Sequence, residues 1–193
     1  MAHLDRESLL SLEAYTEQRN DFRARVMEHK KNRQVELNPH MTLYFEDQLT
    51  MQYQVQEMLR IEKIFDREGI EDELAVYNPL IPDGSNWKAT FMIEYSDVDE
   101  RKIELARLIG VEDKVWVCVE GHEKSYAIAD EDLERDTAEK TSAVHFMRFE
   151  LNEAMVKDAK AGVKINMGVD HENCQTEMLV PENIRVSLIE DLD

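Results

Sequence analysis

Two helical wheels place ionisable side chains where apolar ones belong. Residues 47–68 repeat with helical spacing. With Met51 at zero and about 100° per residue, the apolar arc runs through Val55 near 40°, Met58 near 340°, Phe65 near 320° and Ile61 near 280°. Glu62 falls inside that arc at about 20°, and Gln54 at about 300°. A carboxylate there loses water and needs a partner or a raised pKa. In a first helix over 6–33, with Leu9 at zero, Arg19 falls at about 280°, between Leu12 near 300° and Val26 near 260°. The pattern predicts that Arg19 and Glu62 meet in a charge-assisted hydrogen bond. Such a pair either fixes how two helices dock or lines a polar cavity holding a ligand. Glu57 and Arg60 lie off the arc, near 240° and 180°, and face the later sequence or water.

A second group lies on an alternating stretch over 144–151. Residues two apart share a strand face, so Arg148 and Glu150 point one way and His145 points the other with Phe149. Arg148 can grip a carboxylate or phosphate with both arms, or pair with an acid on a neighbouring strand such as Glu94. His145 and His171 sit on or beside strands, and with a carboxylate they would make a transition-metal site.

Familiar catalytic and cofactor motifs fail. There is no G-x-G-x-x-G, no P-loop and no G-x-S-x-G. His122 and His171 each precede a Glu, but no second His follows at zinc-protease spacing. Asp130, Asp132 and Glu134 mimic the opening of a calcium loop, but Arg135 stands where that loop needs Gly. Cys118 and Cys174, 56 positions apart, support neither a disulfide framework nor an all-cysteine zinc or iron–sulfur site. No cofactor is indicated by motif.

The elements that must position these residues follow from periodicity and breakers. A helix over 6–33 starts at Asp5 or Ser8, Asn38-Pro39 breaks the chain, and 41–46 alternates as a short strand. The helix over 47–68 ends at Gly69. A Pro- and Gly-bearing connection over 70–87 is the best internal boundary. It divides an N-terminal helical segment with one short strand, 1–69, from a sheet domain over 70–193, the two forming one compact unit. Beyond it come a strand at 89–95, a helix to Gly110, an all-apolar central strand at 115–119 and short extended residues at 126–129. An acidic helix or loop over 130–142, a strand at 144–151, a helix to Lys160, a last strand at 163–169 and a closing helix after Pro181 complete the chain. This order implies an α+β fold: a mixed β-sheet with helices on one face, preceded by a long N-terminal helix pair.

Composition limits the function. The 193 residues are 42% hydrophobic and 34% charged, enough for a core. The net charge of −19 excludes non-specific binding to nucleic acid or to an anionic membrane surface. Residues 1–40 sum to zero, so the acidic excess lies beyond them, on a body that is either simply well solvated or built to attract basic partners. The start of the chain shows no charged-then-apolar signal layout and no run is long enough to span a membrane, which leads us to expect a cytoplasmic protein.

Four phrases carry a family resemblance: Ser8-Leu-Leu-Ser-Leu-Glu-Ala-Tyr15, Phe45-Glu-Asp-Gln-Leu-Thr50 running on to Glu62, Ile128-Ala-Asp-Glu-Asp132 and Ala143-Val-His-Phe-Met-Arg-Phe-Glu-Leu151. They resemble an uncharacterised bacterial family, a domain of unknown function of about this length. Its members look like genome neighbours of rubrerythrin-type and iron–sulfur oxidoreductase proteins. The resemblance implies a role beside redox or peroxide-defence chemistry, with a redox-related protein as partner, and it supplies no catalytic residues.

The sequence therefore reads as an accessory or binding protein that takes a partner protein or an anionic small molecule between the N-terminal helices and the sheet. Arg19, Glu62, Arg148 and His145 would line that site. The competing reading is a metal-assisted enzyme, with Glu57 or Glu62 as acid/base and His145 and His171 as ligands. A third is a homodimer built on the helix pair.

Overall fold

The computed structural model describes residues 3–131 and 139–193. The acidic element expected over 130–142 falls mostly on 132–138, outside the described residues. So do Asp132, Glu134 and Arg135 of the tested calcium pattern.

Side-chain caps set the helix starts. Asp5 caps only a short 3-10 turn, and Ser11 caps α1 (Leu12–Lys30) by accepting from Ala14 N at 3.2 Å. Asp47 and Thr50 cap α2 (Gln48–Glu62) reciprocally. This helix stops seven residues before Gly69, because Lys63 turns left-handed at φ 58°. Asp66 then starts α3 (Arg67–Tyr77), in which Gly69 is an interior residue. Between α1 and α2, Asn38 Oδ1 accepts from His40 N at 2.8 Å. The Asn-Pro break is thus a tight turn joining β1 (Gln34–Asn38) to β2 (Met41–Phe45), and β1 is a strand where helix or loop was expected.

The remaining elements are β3 (Asn86–Ile93), α4 (Val98–Arg107), β4 (Val115–Val119), β5 (Ser125–Tyr126), β6 (Ile128–Ala129), β7 (Val144–Glu150), α5 (Glu153–Lys160), β8 (Ile165–His171), β9 (Cys174–Leu179) and α6 (Glu182–Ile189). The fold is α+β, as expected, but among the described residues there is no mixed sheet. Two antiparallel sheets form, ordered β1-β2-β3-β7-β6 and β5-β4-β8-β9. The reason lies in the connections. Both α4 and α5 carry the chain from the first sheet to the second, so neither makes a parallel crossover within one sheet. At Ala127 the chain passes between sheets in a single step, β5 joining one and β6 the other.

Side chains from both sheets share one core, including Leu43, Phe91, Met147, Val117 and Met167. Leu105 of α4, Ala159 of α5 and Leu188 of α6 join it, so helices do not simply cover one face. A separate cluster of Leu4, Met51, Val55, Leu59, Leu74 and Ile81 holds the N-terminal helices together. Among the described residues no helix is long and apolar enough to cross a membrane.

One buried cation ties the chain's beginning to its end. Arg33 is 2% exposed. Its guanidinium donates to Phe45 O at 3.1 Å, Glu46 O at 3.0 Å and Asp191 Oδ2 at 2.5 Å, and lies 3.3 Å from Asp47 Oδ2. Burial pushes the Asp191 carboxyl up to about 6, against the pull of Arg33. Burial also opposes ionisation of Asp47, but Arg33, Thr50 N–H and His29 outweigh it and hold that carboxyl below its usual value. Arg33→Met strands two buried carboxylates and is expected to cost about 3–5 kcal/mol in urea unfolding at neutral pH. The signs of the pH dependence differ for the two acids. Asp191 has a raised folded-state pKa, so its contribution is full below pH 3.8 and fades as pH climbs through about 6. Asp191→Asn should remove a stability decline on the order of 3 kcal/mol across that window, read from unfolding midpoints at stepped pH.

Candidate functional site

Strand alternation builds the site. Along β3, Trp87, Ala89 and Phe91 enter the core, which sends Lys88 to the opposite face. On β7, His145, Met147 and Phe149 are buried and Phe146 and Arg148 share the other face. Lys88 and Arg148 are direct cross-strand neighbours. The last turn of α3 and the turn after it lie across this face and leave a cleft of about 630 Å³, with Val76, Tyr77, Leu80, Ile128 and Phe146 as apolar walls and Lys88, Arg148 and Glu131 as polar groups. That size and balance suit a small organic ligand.

The two cations of the cleft differ. Arg148 is neutralised: it holds Glu131 with two arms, at 2.9 and 2.8 Å, and also bonds Glu150. The Arg148 bonds hold the Glu131 carboxyl below the usual range. Lys88 is half-buried and donates to the Pro79 carbonyl at 2.5 Å. Burial pushes its pKa down, helped by Arg148 and opposed by the charges of Asp83, Glu131 and Glu150, and among the described residues none of these carboxylates is in ion-pair contact with its ammonium.

His145 acts behind the cleft. It is fully buried, with Nδ1 2.5 Å from Asp130 Oδ2 and Nε2 2.9 Å from Thr141 Oγ1. Thr141 donates in turn to Glu112 Oε2 at 3.1 Å. Asp130 also accepts from Phe146 N at 3.1 Å and sits at φ 50°, a conformation aspartate tolerates. These bonds fix the residue immediately before Glu131, and so aim Glu131 at Arg148. His145 supports the site without lining it.

The Arg19–Glu62 pair does not form. Arg19 instead clamps Glu57, Nε to Oε1 at 2.7 Å and Nη2 to Oε2 at 2.8 Å, and Tyr15 O–H donates to the same carboxylate at 2.5 Å. Arg19 outweighs the opposing effect of burial and holds the Glu57 carboxyl below its ordinary value, while burial and Glu57 push Tyr15 up. Glu62 is exposed. The expected arc was rotated by Ile61 and Phe65, which are 62% and 80% exposed, and α2 has ended before Phe65. The buried side of α2 runs through Met51, Val55 and Leu59, leaving Glu57 to face α1. This clamp lies outside the cleft.

His145 and His171 occupy different sheets and bond different partners. His171 Nε2 engages Ile109 O at 3.1 Å, and its Nδ1 accepts from Asn173 N at 3.2 Å. Among the described residues no group of three or more His, Cys, Asp or Glu could hold a metal ion. Arg148 finds Glu131 and Glu150 rather than Glu94. The sequence reading missed Lys88 because it began the strand at Ala89, three residues after β3 starts; it weighed Asp130 only as part of a calcium loop and placed Glu131 in an acidic helix or loop.

The family model for a protein of unknown function, DUF3501, matches residues 3–192. The chain belongs to the DUF3501 family. It is also similar over 100% of both chains, at 52% identity and a TM-score of 0.94, to a crystal structure from Burkholderia pseudomallei K96243 described as a novel protein of unknown function. No curated protein matches the chain.

The clamp gives a direct comparison of two glutamates. Glu57→Ala removes the acceptor for Tyr15 and Arg19 and should cost roughly 1–3 kcal/mol in equilibrium unfolding. Glu62→Ala should leave the unfolding midpoint in place.

Proposed function

We propose that this chain is a binding protein whose cleft receives an amphipathic anion, its apolar body against Val76, Leu80, Ile128 and Phe146 and its charged head at Lys88. The observation that carries this reading is the half-buried Lys88 ammonium, set among apolar walls with no carboxylate in contact among the described residues. A bound carboxylate or phosphate would restore the solvation that burial removes, in a setting where water competes poorly. Arg148 is already matched by Glu131 and Glu150, so the head group belongs to Lys88. The role is accessory rather than thiol-redox: burial pushes both Cys118 and Cys174 thiols up, away from the reactive thiolate.

A dansyl-tagged medium-chain carboxylic acid and its primary amide test the reading by fluorescence titration. The acid should bind at least about tenfold more tightly than the amide, and Lys88→Met should abolish the difference. Equal affinity of acid and amide for the native protein refutes the assignment of Lys88, and failure of both to bind refutes the cleft itself.

A further inference from the structure

The three most exposed large apolar side chains among the described residues are Phe65 at 80%, Val76 at 63% and Ile61 at 62%. All three lie on one stretch, the end of α2, the link and α3. Single exposed apolar residues are ordinary on a protein surface, but their concentration on one stretch of chain marks an interface. Glu73 and Val76 are three apart on α3 and share a face. Glu62, beside Ile61, is near enough to Glu73 to add, with Asp72, to the upward push that burial gives its carboxyl. The apolar side chains and a group of like charges are therefore neighbours across the α2–α3 elbow.

The charge of the elbow selects its occupant. Residues 61–77 carry six acidic and two basic side chains. Arg67 is already paired with Glu71 at 2.7 Å. A second copy of the chain would bring the same acidic elbow and a further net charge of −19, so like charges oppose self-association there. An anionic membrane is repelled for the same reason. We propose that the α2–α3 elbow is a docking surface for a cationic amphipathic helix of a partner protein, whose apolar stripe covers Ile61, Phe65 and Val76 and whose Lys and Arg side chains meet Glu62, Asp72 and Glu73. Opposite charge guides the encounter, and the apolar contacts hold the complex. The surface is separate from the cleft except at Val76, which borders both.

The test uses the full chain and a fluorescein-labelled Leu/Lys peptide of about 18 residues with helical periodicity, beside a scrambled peptide of the same composition. Fluorescence anisotropy should show the periodic peptide binding at least about tenfold more tightly than the scrambled one. Phe65→Ser, and separately the pair Glu62→Gln with Glu73→Gln, should each remove most of that preference. The control pair Glu13→Gln with Glu17→Gln makes the same charge change on exposed positions of α1 and should leave it intact. Equal binding of the two peptides, or equal losses from the elbow and control pairs, reduces the effect to general attraction and overturns the proposal. A concentration-dependent dimer in sedimentation that Phe65→Ser dissolves would assign the surface to a second copy and overturn it as well. Binding of the dansyl acid to Phe65→Ser reports the cleft independently, so failure at one surface is distinguishable from failure at the other.

Discussion

The pairing register of β3 with β7 governs both the core and the cleft. Each strand presents alternate side chains to opposite faces, so one register assigns Trp87, Ala89 and Phe91 inward and Lys88 outward, with His145, Met147 and Phe149 inward and Arg148 outward. A slip of one residue would drive Lys88 or Arg148 into the apolar interior. Polar contacts made from the inner face hold the register. The Trp87 indole donates to Leu188 O at 2.9 Å, and His145 is fastened to Asp130 and Thr141. The same register sets two cations side by side, which is unfavourable on a sheet surface. Glu131 and Glu150 offset that repulsion by neutralising Arg148, and Lys88 is left as the cation that faces the cleft.

Much of the architecture was legible because it depends on local signals. Asp97, Asn152 and Pro181 mark helix starts, and the alternation of 144–151 and the apolar run 115–119 give strands whose inward faces match their sequence patterns. What failed was non-local or was overridden by a single backbone event. The left-handed Lys63 is not a residue type that announces a helix end, so the helix was run on to residue 68, and most of α3 was read as part of the connection over 70–87. That error carried Ile61 and Phe65 onto a false buried arc and directed Arg19 to the wrong glutamate. Antiparallel pairing was hidden because an alternation of strand and helix reads as parallel crossovers until the helices are seen to pass between sheets.

The site was harder to read than the fold for a related reason. Arg148 and His145 stand out because they are polar in apolar strands, and both have structural partners. Lys88 shows no such contrast near the start of its strand, and the cleft it shares with the end of α3, Pro79 and Leu80 comes from residues packed over it by the tertiary fold. Whether a charged side chain is matched depends on which distant carboxylates the topology delivers. Arg33 receives Asp191 from 158 positions away, and Arg19 receives Glu57 from 38.

That contrast gives the cleft and the elbow their significance. Several interior and interfacial ions in this fold are matched by opposite charge: Arg33 by two aspartates, Arg19 by Glu57, Arg148 by two glutamates, His145 by Asp130; buried Glu46 instead accepts from the Thr90 hydroxyl through Oε1. Lys88 is desolvated without a counter-ion in contact, and the elbow exposes its apolar side chains among like charges that raise one another's cost. Neither arrangement improves the stability of the isolated chain, since burying a cation and crowding carboxylates both oppose folding. Each becomes favourable once a complementary group arrives from outside: an anion for Lys88, and a cationic apolar surface for the elbow. Local violations of an otherwise consistent design are where binding is expected to reside.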